Sequence, residues 1–369
     1  MTATALTPLL RQRRIWIAVG PGGVGKTTVS ASLALGAAVS GRPGLVCTID
    51  PARRLANALG LQQLGSLETQ LPPEALAQAG VAARSTLSAM MLDMRQTWDE
   101  LITANAPQKD QRRIFQSRFY RTLSTVLAGS QEYIAMEKLC QLRGAQREGL
   151  IVLDTPPSEH ARDFLSAPKR VLDFLENDAA RLLLAPMMVA GRVGLRFFQA
   201  SSGFLARALT RFTGAETLQE LADFLQALRG MESTFRARAR QVNQLLADAG
   251  TAFILVTGAE PERRAEVLAF HAELLRSGFR VDAVVVNRVH PPVSAEAFEA
   301  ATRLPEHLRE RTRALLDDLS FWAKKDAEAV EHLTRACAPT LVIVVPRLDK
   351  EVHDLPSLAH TAQHLLGEG

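Results

Sequence analysis

Gly20-Pro21-Gly22-Gly23-Val24-Gly25-Lys26-Thr27-Thr28 fits the spacing G-x-x-x-x-G-K-[ST], and its flanks fit as well. Ile15-Trp16-Ile17-Ala18-Val19 is a short apolar run that reads as a buried strand, and Thr27 to Leu35 reads as a helix. Strand, glycine loop and helix is the arrangement in which successive backbone N–H groups turn toward one phosphate. The glycines allow the curl, and the new helix adds the positive end of its dipole. Lys26 is placed to reach the β- and γ-phosphates and the Thr27 hydroxyl to ligate Mg²⁺. Gly20, Gly22, Gly23, Val24, Gly25 and Thr28 complete the cradle. A nucleoside triphosphate with Mg²⁺ is therefore the expected ligand.

Working outward, Leu45-Val46-Cys47-Thr48-Ile49 reads as the next strand and ends on Asp50-Pro51. A carboxylate at such a strand tip faces the ligand crevice of an open α/β sheet. Leu87 to Asp93 reads as a third strand. Gly149-Leu150-Ile151-Val152-Leu153-Asp154 is a buried strand that carries a carboxylate to its tip, where it can hold Mg²⁺ through water. Thr251–Thr257, Val281–Val289 and Leu341–Pro346 are three further strands, and Leu355 to Leu366 reads as a closing helix. About seven strands alternating with helices point to an α/β fold, a P-loop NTPase with a doubly wound, mostly parallel sheet. We read residues 1–369 as one such domain, with helical insertions at about 95–145 and 175–245 forming a subdomain.

The chain has 369 residues, 47% of them hydrophobic, and a formal charge of +4 that is spread along it, so neither a basic tail nor a nucleic-acid partner is expected. Cys47, Cys140 and Cys337 stand far apart with no C-x-x-C, which suggests neither a disulfide framework nor a zinc clip; no zinc is expected, and a reducing, cytoplasmic setting is. No secretory leader or membrane span is anticipated. His360 and His364 are four apart on the last helix but lack the pattern of a zinc site, and read as an exposed face.

The loop together with Thr48-Ile49-Asp50-Pro51-Ala52 resembles the family of arsenite-pump ATPases and tail-anchored-protein targeting factors, over nearly the whole chain. The resemblance implies ATP as the nucleotide and several roles. Asp50 and Pro51 would lie in switch I, with Asp50 orienting the attacking water beside Lys26. Asp154-Thr155-Pro156-Pro157-Ser158-Glu159-His160 would be switch II, in which Asp154, Thr155, Pro157 and His160 match the family and Glu159 stands for a glycine. Asn287 would read the adenine edge, and Pro346-Arg347 would form the adenine loop. Two chains would pair. The helical insertion would form a groove for a hydrophobic client or membrane-protein partner, which brings the protein to the periphery of a membrane. The apolar stretch from 181 to 212 lies in the corresponding place, and ordinary helical core is the other reading of it.

One departure matters most. Pro21 stands where the family has a lysine that reaches across the dimer to the partner's nucleotide. Turnover would then be slow, or a lysine-bearing paralogue would complete a heterodimer in place of the homodimer, or Arg53 or Arg54 would substitute. The leading expectation is a dimeric ATPase that couples nucleotide state to client binding. The alternatives are the ATPase subunit of an arsenite or antimonite pump, which needs clustered thiols, and a nucleotide-gated binding module with little catalysis. A DNA-partition ATPase fits less well with the apolar insertion.

Overall fold

A computed structural model describes residues 6–50, 54–120, 130–144, 148–156, 220, 223–224, 226–227, 230–349 and 351–367. Its strands are β1 (Ile15–Val19), β2 (Gly44–Thr48), β3 (Thr69–Gln70), β4 (Leu87–Met91), β5 (Leu150–Asp154), β6 (Thr251–Thr257), β7 (Val281–Val289) and β8 (Leu341–Pro346). They form one sheet in the order β3-β4-β2-β5-β1-β6-β7-β8. Every pairing is parallel except β3 on β4. The described helices are α1 (Thr7–Leu10), α2 (Lys26–Val39), α3 (Arg54–Ala58), α4 (Pro73–Gln78), α5 (Met94–Asn105), α6 (Gln108–Gln116), α7 (Ser130–Gly144), α8 (Glu232–Ala247), α9 (Pro261–Arg276), α10 (Ala295–Thr302), α11 (Glu306–Ala336) and α12 (Leu355–Leu366).

The chain divides into two compact units. The first takes Met1–Leu92, Gln146–Arg162 and Leu246–Gly369 and contains the sheet. β1, β2, β5 and β6 are buried at every residue, so they read as unbroken apolar runs and not as alternating ones, as expected of parallel strands covered on both faces. α2 is buried from Val29 to Ala38, and its Ala, Ser and Gly residues let it lie close to the sheet and to α12. At the base of the sheet, Asp282 takes a bidentate pair from Arg13, 2.8 Å to each oxygen, and a third bond of 2.8 Å from the buried Trp16 indole. These bonds satisfy a buried carboxylate that would otherwise be costly.

From β1 the chain moves out to β2 and β4 on one side, returns through β5, and then crosses to β6, β7 and β8 on the other. The loops on either side of β1 therefore diverge at the carboxyl ends of the strands, which is where open α/β sheets bind ligands. The second unit takes Asp93–Ala145 and Asp163–Leu245. Trp98 of α5 lies 6.0 Å from both Tyr133 of α7 and Phe235 of α8, ring centre to ring centre. Leu101, Ile102 and Ile114 are buried; the apolar stretch 181–212 lies outside the described residues.

Two features differ from the sequence reading. The strand from Leu87 ends at Met91 because Asp93 leaves the sheet to cap α5, accepting a bond of 2.9 Å from the Gln96 N–H. The edge strand β3 is only two residues long and antiparallel, too short to show a period. Among the described residues no helix is long and apolar enough to cross a membrane.

Candidate functional site

β1 ends at Val19 and the glycine loop carries the chain into α2 at Lys26. Gly20 has φ +149° and faces the Val256 carbonyl of β6 so closely that a Cβ has no room. Gly25 has φ +92°, and a Cβ there would run into the Asn287 amide. Both positions need glycine for conformation and for space. The Lys26 ammonium, buried, donates to the Gly20 carbonyl at 2.9 Å and the Pro21 carbonyl at 2.8 Å. Burial pulls its pKa down to about 8, with Asp154 opposing the fall and Arg263 adding to it. Thr28 is half-buried on the same first turn, where the leading N–H groups of a helix have no intrahelical acceptor.

Asp154, at the tip of β5, is almost fully buried. Its Oδ2 accepts from the Thr27 hydroxyl at 2.8 Å and from the Thr48 hydroxyl at 2.9 Å. Its Oδ1 is buried and has no hydrogen-bond partner among the described residues. Burial pushes this carboxyl up to about 6, against the pull of the two hydroxyls and of Lys26. A bare carboxylate oxygen beside a hydroxyl and an ammonium is a fit for a hard cation with oxygen ligands. The Thr155 hydroxyl donates to the Ala18 carbonyl at 2.7 Å and ties the residue after β5 to β1.

Asp50 follows β2, and its N–H donates to the Thr48 hydroxyl at 3.1 Å. Thr48 thus links the Asp50 backbone to Asp154. The Arg54 guanidinium is 3.9 Å from the Asp50 carboxylate and 70% exposed, a loose surface pair. Pro51, Arg53, Pro157 and His160 lie outside the described residues.

On the far side of the loop a cavity of about 760 Å³ opens between Gly22, Gly23, Val24, Gly258, Arg263, Asn287, Arg288, His290, Trp322, Asp326 and Arg347. The Asn287 amide N–H donates to the Val24 carbonyl at 2.8 Å, and its oxygen accepts from the Arg288 N–H at 3.0 Å. One amide hydrogen and one lone pair remain for a ligand. The register of β7 on β8 shifts between Asn287 and Val289, and Arg288 at the bulge has φ 62°. This left-handed arginine sends its guanidinium to the Gly23 carbonyl at 3.3 Å. A trans peptide points its C=O and N–H in opposite directions. By holding the Gly23 and Val24 carbonyls from one side, Arg288 and Asn287 leave the next two N–H groups pointing the other way.

Asp326 of α11 accepts from the His290 N–H and from its Nδ1, both at 2.8 Å. The Arg347 guanidinium is 3.2 Å from His290 Nε2 and can only donate, so Nε2 accepts and Nδ1 carries the proton. Trp322 lies 6.5 Å from the His290 ring. Pro346 ends β8, and the Arg347 N–H donates to the Val289 carbonyl at 2.8 Å, which sets the loop beside this cluster.

The structure thus gathers Lys26, Thr27, Asp50 and Asp154 at one end and Asn287 and Arg347 at the other. Sequence reasoning missed Thr48, Arg263, Arg288, His290, Trp322 and Asp326. Thr48 had a signal, a hydroxyl two residues before a strand-tip acid; the others belong to no motif.

The profile of the anion-transporting ATPase family matches residues 13–367. ATPase GET3 of Malassezia globosa is 27% identical over 366 residues, covering 98% of this chain and 94% of that protein. ATPase ARSA1 of Chlamydomonas reinhardtii is 27% identical over 371 residues, covering 94% of this chain but 42% of that protein. ATPase GET3B of Arabidopsis thaliana is 24% identical over 367 residues, with 94% and 77% covered.

Proposed function

The chain belongs to the anion-transporting ATPase family, and from that membership we propose that it is an ATP-binding and ATP-hydrolysing dimeric switch whose nucleotide state controls binding of a hydrophobic client or membrane-protein partner. Asp154 is the observation that carries the reading. It is a buried carboxylate with one oxygen held by Thr27 and Thr48 and the other bare, beside a lysine whose charge burial disfavours. Two uneasy charges at the carboxyl edge of a parallel sheet suit a ligand that brings both a cation and an anion.

In this function the loop N–H groups and Lys26 bind the phosphates, and Lys26 exchanges the Gly20 and Pro21 carbonyls for phosphate oxygens. Thr27 and Asp154 would hold Mg²⁺, which would supply positive charge to offset that of the phosphate oxygens. Asp50 orients the attacking water, and Pro51, Thr155, Pro157 and His160 belong to the moving switches. Asn287, Pro346 and Arg347 frame the adenine. Pro21 supplies no cation to a paired chain, so turnover by the homodimer is slow and rises with a lysine-bearing paralogue. The protein works in a reducing cytoplasmic setting, at the periphery of a membrane when it carries a client.

The test is Asp50→Asn. We expect unchanged ATP affinity by calorimetry and single-turnover hydrolysis about a hundredfold slower. Hydrolysis at the wild-type rate would remove Asp50 from the reaction. The second reading, a nucleotide-gated binding module, takes its support from Pro21; it is favoured if the wild type binds ATP tightly and releases no phosphate.

A further inference from the structure

α12 is fixed at both ends and along one side. Asp354 caps its first turn by accepting from the Ser357 N–H at 2.9 Å, and Gly367, with φ 78°, closes its last. Leu355, Leu358, Ala362, Leu365 and Leu366 bury one face of it. That face lies so close to α2 that a Cβ at Gly36 would meet Leu366 and Ala362. The opposite face is therefore presented with little freedom to turn or fray. His360 and His364 stand on that face one turn apart, the first exposed and the second half-buried.

Their Nε2 atoms are 3.4 Å apart, the ring planes meet at 85° and the ring centres are 4.9 Å apart. The nitrogens are nearer than the centres, so the rings turn their Nε2 edges toward each other. At this distance one Nε2 donates weakly to the other, and the accepting imidazole is neutral, the form that binds metals. The same two atoms span the edge of a coordination tetrahedron. Two Zn–N bonds of about 2.05 Å at the tetrahedral angle end about 3.4 Å apart. At the right angle of a square-planar site they would end about 2.9 Å apart. His364 also lies in the last turn of α12, where the negative end of the helix dipole favours a cation. The spacing lacks the motif of a zinc enzyme, but a chelate needs only two fixed nitrogens at the right separation.

We propose that His360 and His364 form a binding site for a borderline divalent transition metal of tetrahedral preference, with Zn²⁺ as its type. The metal takes the place of the proton that the two imidazoles share. Among the described residues no group of three His, Cys, Asp or Glu side chains could hold a metal, so water completes the coordination and the ion is held less tightly than in a closed four-ligand site. The site is distinct in place and in chemistry from the nucleotide site. Neither histidine lines the base-side cavity, and Mg²⁺ takes oxygen ligands where Zn²⁺ takes imidazole. The bound ion bridges one turn of α12 and so steadies the helix that backs α2, which begins with Lys26 and Thr27.

Calorimetry with Zn²⁺ on the full chain, without nucleotide and with Mg²⁺ in excess, tests the site. We expect His360→Ala and His364→Ala each to weaken one Zn²⁺ per chain at least about tenfold, because the remaining imidazole binds without its linked partner. For the same reason the double variant should be little worse than either single one. His353→Ala, which removes an exposed histidine just before the same helix, should bind Zn²⁺ as the wild type does. Zn²⁺ should raise the melting temperature of the wild type and of His353→Ala but not of the other variants, and Co²⁺ bound to the wild type should show the strong visible absorption of a tetrahedral ion. Zn²⁺ binding that survives the double variant would place the metal elsewhere and overturn the proposal, as would a wild type that binds no Zn²⁺. A weak six-coordinate Co²⁺ spectrum would overturn the tetrahedral assignment. If His364→Ala lowers the melting temperature without metal, the exposed His360→Ala still decides. Mg-ATP affinity should stay at the wild-type value throughout, so the outcome does not depend on the nucleotide reading.

Discussion

At the phosphate end of the site Lys26 and Asp154 are buried ionisable groups held away from their ordinary states, down to about 8 and up to about 6. At the base side His290, Asp326 and Arg347 satisfy one another near solvent. The first end has most to gain from a ligand that brings both a cation and an anion, as the Mg-nucleotide proposed above would, because its charges lack such partners. The second is already assembled and has less to gain. Affinity should therefore reside at the phosphate end, and discrimination between nucleotides at the base side.

Lys26→Ala makes the largest difference. Removing the ammonium leaves phosphate charge without its buried partner, and we expect ATP to bind about a thousandfold more weakly, roughly 4 kcal/mol. Trp322→Ala should cost only a few-fold. Calorimetry showing equal losses would erase the contrast between the two ends.

Asp154→Asn comes next, and it acts on the empty protein. The folded carboxyl titrates near 6 and its ordinary value is 3.8, so the folded state binds the extra proton between those values. Stability therefore falls as pH rises through that window and stays lower above it. For Lys26 the unfolded state binds the extra proton between about 8 and 10.5, so stability rises with pH there. Without nucleotide the protein should be least stable between about pH 6 and 8. Asp154→Asn should raise stability at pH 7 by about 3 kcal/mol and flatten the acid limb, while abolishing the Mg²⁺ dependence of binding. A melting series in which the variant is less stable than wild type at pH 7 would contradict the strained-carboxylate account.

This contrast also explains what the sequence could show. Every phosphate-end residue lies in or beside one of three short runs, 15–28, 45–50 and 150–155, where a strand tip and a loop fix position by local rules. Long apolar runs made β1, β6, β7 and β8 legible to the residue. The base side is assembled from β7, α11 and the end of β8, whose residues meet only through the tertiary fold. Asp326 sits among the charged residues of a long helix, and nothing local separates it from Asp317 or Asp318. Lys325 bonds Glu328 at 3.1 Å and also lines the cavity. Arg288 needed a bulge and a left-handed backbone to reach Gly23, and neither is written in an arginine.

Arg288→Gly sharpens the comparison because its two effects have opposite signs. Glycine adopts the left-handed conformation without strain, so the melting temperature should hold or rise. The Gly23 carbonyl loses its outside partner, so the loop is less ordered and ATP affinity should fall about tenfold, roughly 1.4 kcal/mol. Arg288→Lys keeps the strain and loses the fork, and should be weaker in binding without the stability gain. An Arg288→Gly protein that binds ATP as wild type would show that Asn287 braces the loop alone.

The smallest expected effect is the most specific. Asp326 fixes His290 by accepting from both its backbone N–H and its ring Nδ1, and Arg347 completes the chain at Nε2. Asp326→Asn keeps the size and removes the charge, so the imidazole is held less firmly and Arg347 loses a fixed acceptor. Nothing at the loop or at Asp154 changes. We therefore expect inorganic triphosphate to bind as tightly as to wild type, while the preference for ATP over GTP falls about threefold, well under 1 kcal/mol. Competition binding with the three ligands measures both quantities in one preparation. A parallel loss for all three would mean that Asp326 supports the whole edge of the sheet and that the two ends of the site are not independent. An unchanged ATP-to-GTP ratio would mean that the His290 cluster shapes the cavity without reading the base.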